Sequence, residues 1–239
     1  MRLSSEEALD FFCSRRSVRT FSEQAIERPV LERLLAAAIS APSNTNRQPW
    51  RFAVVTNPAL RRAIAEAVAT RATEIKSIIA RGHHAEDFGS YSDFFHEPLL
   101  AAQALIIPQY RDYPDLIANL IASGGGDPAQ YHTAGTMQAE LCSTSAANMM
   151  LLLQAHAEGL GACWMAGPMI ARDAIHSLLG INAPWQMVGA IALGYPAEAP
   201  PLRHLVGAAA GRPWDDALAD TLADPAPGPE QLADAQGEI

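Results

Sequence analysis

The chain has 239 residues, 49% of them hydrophobic, so it can bury a full core as one domain and is too apolar to be disordered throughout. Its formal net charge of −9, with no basic face outside one short arginine cluster, argues against nucleic acid or an anionic membrane as the main partner. Residues 1–20 lack the pattern of a signal peptide, no apolar stretch is long enough to span a bilayer, and the scattered Cys13, Cys142 and Cys163 support neither a disulfide framework nor a zinc site, so a reducing cytoplasm is the expected compartment.

Ser4-Ser5-Glu6-Glu7 reads as a helix start with acidic residues in its first turn, and Ala8, Leu9, Phe11 and Phe12 give the following turns an apolar face. This helix delivers Arg15-Arg16-Ser17-Val18-Arg19 at its C-terminal end. A second helix is predicted from Pro29 to about Ile39, with Pro in its first turn and Val30, Leu31, Leu34, Leu35 and Ala38 at helical spacing. It stops before the loop Pro42-Ser43-Asn44-Thr45-Asn46-Arg47-Gln48-Pro49-Trp50, and Trp50–Thr56 follows as a strand closed by Asn57-Pro58. From Pro58 to about Ala80 the spacing predicts an alanine-rich helix with Arg61, Arg62, Glu66, Arg71 and Glu74 on a solvated outer face. Residues 82–98 have no clear period and are a candidate cover for a pocket. Ala104–Tyr110 is a strand of the buried, continuously apolar kind, and Ile121–Pro128, with Gly124-Gly125-Gly126, is read as a flexible connection.

His132 to about Glu158 is predicted as the longest and most buried helix, because Leu141, Ala146, Ala147, Met149, Met150, Leu152 and Leu153 leave little room for a wet face. Ser143, Thr144 and Ser145 are small enough for close helix approach, and Gly159 ends the helix. Cys163–Ala166 leads toward a turn, Ala171–Leu179 is a short helix, and Met187–Leu193 is a third strand in which Gly189 lets something approach the backbone. One domain over residues 1–223 and a disordered tail over 224–239 are expected from the change to Pro, Ala, Gly and Asp after Pro196.

Two stretches carry chemistry. Arg15-Arg16-Ser17-Val18-Arg19 puts three guanidinium groups and a hydroxyl into five residues. A guanidinium fork matches phosphate oxygens two at a time, so this is a local anion site suited to a phosphate monoester. The plain alternative is a solvated helix end, where basic residues favour the dipole. Pro42 to Trp50 is a run of small and amide side chains, which both donate and accept and so suit the edge of a heteroaromatic ring; the plain alternative is a polar loop before a strand. Other chemistries are set aside. Adjacent His83 and His84 point apart on a helix or a strand and have no carboxylate or Cys at ligand spacing, so no metal is expected. A GxSxG elbow is missing, and Gly159-x-Gly161 follows a helix and lacks the third Gly of a dinucleotide fingerprint.

The two stretches resemble the Arg-Arg-Ser-x-Arg and Pro-Ser-x-x-Asn-x-Gln-Pro-Trp elements of the nitroreductase family of flavin enzymes. The resemblance continues in order through Gly159–Pro168, Leu178-Leu179-Gly180-Ile181 and Val188–Pro196. It implies an α+β fold, a mixed central sheet surrounded by helices, working as a homodimer with two FMN molecules at the interface. By the resemblance Arg15, Ser17 and Arg19 hold FMN, with Arg16 a further candidate. Pro42, Ser43 and Asn46, with Asn44 and Gln48 beside them, reach the flavin across the subunit interface. A backbone N–H at Ala166 or Gly167 lies against the flavin N5, and glycine at 167 suits the close approach of a flat ring. The family completes its phosphate site with a C-terminal basic group, for which Arg212 in Arg212-Pro213-Trp214-Asp215-Asp216 is the nearest match and Arg203 the second. The implied activity is ping-pong hydride transfer from transiently bound NADH or NADPH, through FMN, to an electron-poor acceptor such as a nitroaromatic or a quinone. No separate catalytic side chain is nominated, because the cofactor carries the hard chemistry. The runner-up keeps fold and flavin but performs enoate reduction, dehalogenation or dehydrogenation; a third reading is a flavin-binding protein without turnover.

Overall fold

The structure, a computed structural model, describes residues 4–82 and 95–199. His83, His84, Arg203, Arg212 and the tail from 224 to 239 lie outside these described residues, as does part of the domain expected over 1–223.

Strand β2 (Ala104–Arg111) divides the core in two. Successive side chains of a strand leave on opposite faces. Ala104 and Ile106 therefore join the apolar cluster under α2 (Arg28–Ile39) and α6 (Ala139–Ala157). Leu105 and Ile107 join the cluster under α3 (Pro58–Ile79), α4 (Glu97–Ala101) and α7 (Arg172–Leu179). β1 (Trp50–Val55) pairs with one side of β2, Trp50 opposite Tyr110. β5 (Ala190–Gly194) pairs with the other, Leu193 opposite Ala104, and β3 (Gly161–Met165) closes that edge, Gly161 opposite Gly194. Short β4 (Trp185–Met187) lies along the far end of β2. These strands pair antiparallel; the parallel contribution is the bridge from Ser17 to Ala162. The result is the α+β arrangement expected from the sequence, a sheet with helices on both faces.

Local chemistry explains where elements begin. Ser4 and Glu7 form a capping box at the start of α1 (Ser5–Ser14), whose Leu9 and Phe12 nevertheless stay exposed. The helix predicted from His132 begins only at Ala139, with Gln138 left-handed before it. In the residues ahead of it, the Thr136 hydroxyl accepts the Thr133 N–H and Asp115 accepts the Gly135 N–H, bonds that give the backbone an alternative to helix. At 19 residues α6 is shorter than the 22-residue α3, although it buries nine side chains. The stretch read as a flexible connection is helical as far as Ser123 in α5 (Leu116–Ser123), capped by Asp115. Strand β3 and helix α4 went unpredicted. The third predicted strand is split into β4 and β5 at Gly189, whose φ is +73° and whose absent Cβ would sit 2.3 Å from the Met165 carbonyl oxygen. Arg61 does not belong to a solvated face: it is partly buried and donates to the Ala102 carbonyl. Among the described residues no helix is long and apolar enough to cross a membrane.

Candidate functional site

The arginine segment leaves α1 in extended conformation at Arg15 and adds to the edge of β3. The Val18 N–H donates to the Ala162 carbonyl at 3.1 Å, and the buried Val18 side chain occupies the space over Gly161, where a Cβ would meet it at 2.6 Å. Extended backbone alternates its side chains, so Ser17 and Arg19 face outward on either side of inward Val18. Arg16 has a separate job: its guanidinium donates to the Cys13 and Arg15 carbonyls and so closes the C-terminus of α1. Burial raises the pKa of the Cys163 thiol, while the nearby charges of Arg19 and Arg15 oppose that shift.

The amide loop is strained and anchored. Thr45, Asn46 and Gln48 all have left-handed φ, at 49°, 55° and 47°. Such a conformation costs a β-branched residue like Thr about 1–2 kcal/mol and persists only where surroundings impose it. Here they do. The Gln48 N–H donates to the Ser43 hydroxyl at 3.0 Å, and the Gln48 amide donates to Asn46 Oδ1 at 3.2 Å. The Asn44 N–H donates to the Ser143 hydroxyl at 3.1 Å, which itself donates to the Ala139 carbonyl at 2.6 Å. Arg47 pairs with buried Glu140 at 2.9 Å and lies 5.2 Å from the Tyr113 ring centroid. Ser143 and Glu140 escaped the sequence reading. Ser143-Thr144-Ser145 stand out in the sequence only as small residues, and nothing there pairs them with a loop about a hundred residues earlier.

The turn after β3 carries Ala166 and Gly167. A Cβ on Gly167 would lie 2.4 Å from Phe95 Cδ1, so the flat group that approaches this glycine here is the Phe95 ring.

Three cavities surround these elements. One of about 880 Å³ holds Pro42, Ser43 and Asn44 against Met137, Cys142 and Ser143. A second of about 310 Å³ is lined by Arg15, Arg16, Ser14 and His156. His156 Nε2 lies 2.8 Å from the Ser14 hydroxyl, and burial, with the charges of Arg15 and Arg16, lowers its pKa. The third, about 440 Å³, holds Ala166 with Trp164, Tyr110 and Arg172. Ser143 and His156 lie roughly 20 Å apart along α6, at about 1.5 Å of rise per residue. One chain therefore places its arginine row and its amide loop at opposite ends of α6 and does not bring them together. Among the described residues no group of three or more His, Cys, Asp or Glu is arranged to hold a metal ion.

This fold is found in solved flavoproteins. A BluB-like flavoprotein from Clostridium difficile 630 superposes with a TM-score of 0.75 at 23% identity, over 83% of this chain and 94% of that one. Iodotyrosine deiodinase bound to FMN and 3-iodo-L-tyrosine superposes with a TM-score of 0.63 at 21% identity, over 82% of this chain and 94% of that one. At such identities the likeness is one of fold. A model of the nitroreductase family matches residues 13–195, and the chain belongs to that family; it is an oxidoreductase of nitroreductase type. Among sequence relatives, a Thermus thermophilus NADH dehydrogenase is 28% identical over 77% of this chain and 84% of its own length. An iodotyrosine deiodinase from Haliscomenobacter hydrossis is 31% identical over 49% of this chain, a match that spans 53% of that protein.

Proposed function

We propose that this chain is an FMN-dependent NAD(P)H oxidoreductase that reduces electron-poor acceptors such as nitroaromatics and quinones. The observation that carries the reading is the row of Arg15, Ser17 and Arg19 along the edge of β3, with Ser17 and Arg19 exposed: guanidinium forks flanking a hydroxyl, a donor set suited to a terminal phosphate. Family membership and an FMN-bound structural neighbour point the same way. When bound, FMN supplies hydride transfer between a nicotinamide and an acceptor. The chain's own residues would bind and orient it: Arg15, Ser17 and Arg19 at the phosphate end and the Ala166–Gly167 turn at the ring. Fixed guanidinium groups and backbone dipoles stabilise negative charge that develops beside them.

The pre-shaped amide loop belongs to the same site if it comes from a second copy. Pro42, Ser43, Asn44, Asn46 and Gln48 lie at the opposite end of α6 from the arginine row, so a homodimer that packs two chains head to tail along this helix unites them. Exposed Leu9 and Phe12 on α1 and Leu116, Ile117 and Leu120 on α5 are apolar surface for such an assembly. Free Cys13 and Cys142 suit a cytoplasmic protein. A second reading, reductive dehalogenation of a haloaromatic, is favoured by the match to the Haliscomenobacter enzyme.

The test is direct. Purified protein should be yellow, release FMN on heating, and bleach when NADH or NADPH is added without oxygen. Protein that stays colourless after incubation with FMN refutes the flavin reading, and a flavin that stays yellow with both nucleotides makes the chain a carrier. Release of halide from a halophenol, at a rate exceeding reduction of a nitroaromatic, would select the second reading.

A further inference from the structure

The cavity beside Ala166 has its own chemistry. Its walls include Trp164, 36% exposed and fixed by its indole N–H donating to the Val188 carbonyl at 2.8 Å, and Tyr110. The Met169 and Met187 side chains line it too, and the Met169 sulfur is held in place by the Gly189 N–H at 3.3 Å. Flat rings and polarisable thioethers favour a planar π-system. A volume of about 440 Å³ suits a single small aromatic molecule.

Among the described residues one charged side chain lines this cavity, that of Arg172. Its Nε contacts Asp173 at 3.1 Å, but the two side chains are 50% and 87% exposed, so water weakens the pair and a ligand carboxylate can replace it. Asp112 is engaged by the Gln186 amide at 3.2 Å, and Glu74, which lines a neighbouring cavity with Arg172, is paired with Arg71. Beyond Gln186, Arg51 and Arg111 stack on Trp185 at 4.4 and 5.7 Å and add further positive charge to this end of the sheet. An aromatic wall and an exchangeable guanidinium in one cavity define a ligand with two parts.

We propose that this cavity receives the electron acceptor, and that it selects a flat aromatic ring carrying a carboxylate, with Arg172 binding the carboxylate and Trp164 packing on the ring. The inference rests on the reading of the Ala166–Gly167 turn as the flavin-facing turn and deepens it by assigning a substrate class. Isothermal titration calorimetry on the flavin-loaded protein, with 4-nitrobenzoate against its neutral isostere 4-nitrobenzamide, tests it. The carboxylate should bind about tenfold more tightly or better, the range for a hydrogen bond to a charged group. Arg172→Gln should erase that preference, Arg172→Lys should retain part of it, and Trp164→Leu should weaken both ligands together. Equal affinity of the two ligands for the unaltered protein, or a preference that survives Arg172→Gln, overturns the inference. Flavin absorbance recorded on the same samples reports separately on the cofactor, so a failed pocket and a failed flavin reading are told apart.

Discussion

Arg47→Met isolates the anchor of the amide loop. The Arg47–Glu140 contact of 2.9 Å joins side chains that are 23% and 6% exposed, so the substitution strands a carboxylate in a nearly dry site on α6. Removing one partner of a fully buried pair typically costs about 3–5 kcal/mol. Arg47 is open enough for water to reach the vacated space, which lowers the expected loss to about 2–4 kcal/mol. Against a typical domain stability of about 5–15 kcal/mol, that is large. Urea unfolding followed by far-ultraviolet circular dichroism should show the midpoint falling with the slope unchanged. The double variant Arg47→Met, Glu140→Gln should recover most of the loss, because it removes the stranded charge and not merely the pair. FMN affinity should fall as well, since Arg47 holds the loop in which Thr45, Asn46 and Gln48 are left-handed. An Arg47→Met protein within about 0.5 kcal/mol of the parent would refute the argument, since that is the range of an ordinary surface change.

Arg19→Ala should weaken FMN binding by about 1.5–3 kcal/mol, tenfold or more by flavin titration, whereas Arg16→Ala should act mainly on stability because Arg16 closes α1. Gly189→Ala should destabilise by at least about 2 kcal/mol in the same urea assay, since it combines a left-handed φ with a Cβ placed 2.3 Å from a backbone oxygen. Arg33 donates to both oxygens of Glu158 at 2.6 and 2.7 Å and holds that carboxyl at about 2, well under its ordinary 4.5. A depressed folded-state value stabilises above the ordinary value and loses that effect as pH falls through about 2. Arg33→Ala should therefore flatten the acid limb of the stability profile between pH 4.5 and 2, and salt should shrink the difference because the pair lies at the surface.

Much of the architecture was legible locally. The Ser4/Glu7 box, Pro29 near the start of α2, and the unbroken apolar run of β2 are signals whose physics is complete within a few residues. The arginine and amide stretches likewise announced themselves by composition. Elements that depend on partners were harder. Nothing in Gly161–Met165 marks it as a strand until Val18 and β5 supply its hydrogen bonds, and α6 lost its first turns because Asp115 captured the Gly135 N–H.

The chain's order of residues thus determined which groups are available: guanidinium forks, amides, and a small-residue turn that admits a flat ring. Only the tertiary structure decided which of them face the same space. Pairing with β3 turned Ser17 and Arg19 outward and left Arg16 to a helix end, the Glu140 and Ser143 anchors held the amide loop in left-handed backbone, and the length of α6 placed the two motifs of one chain at opposite ends of that helix. Those outcomes depend on contacts between residues far apart in sequence, and such contacts have no local signature.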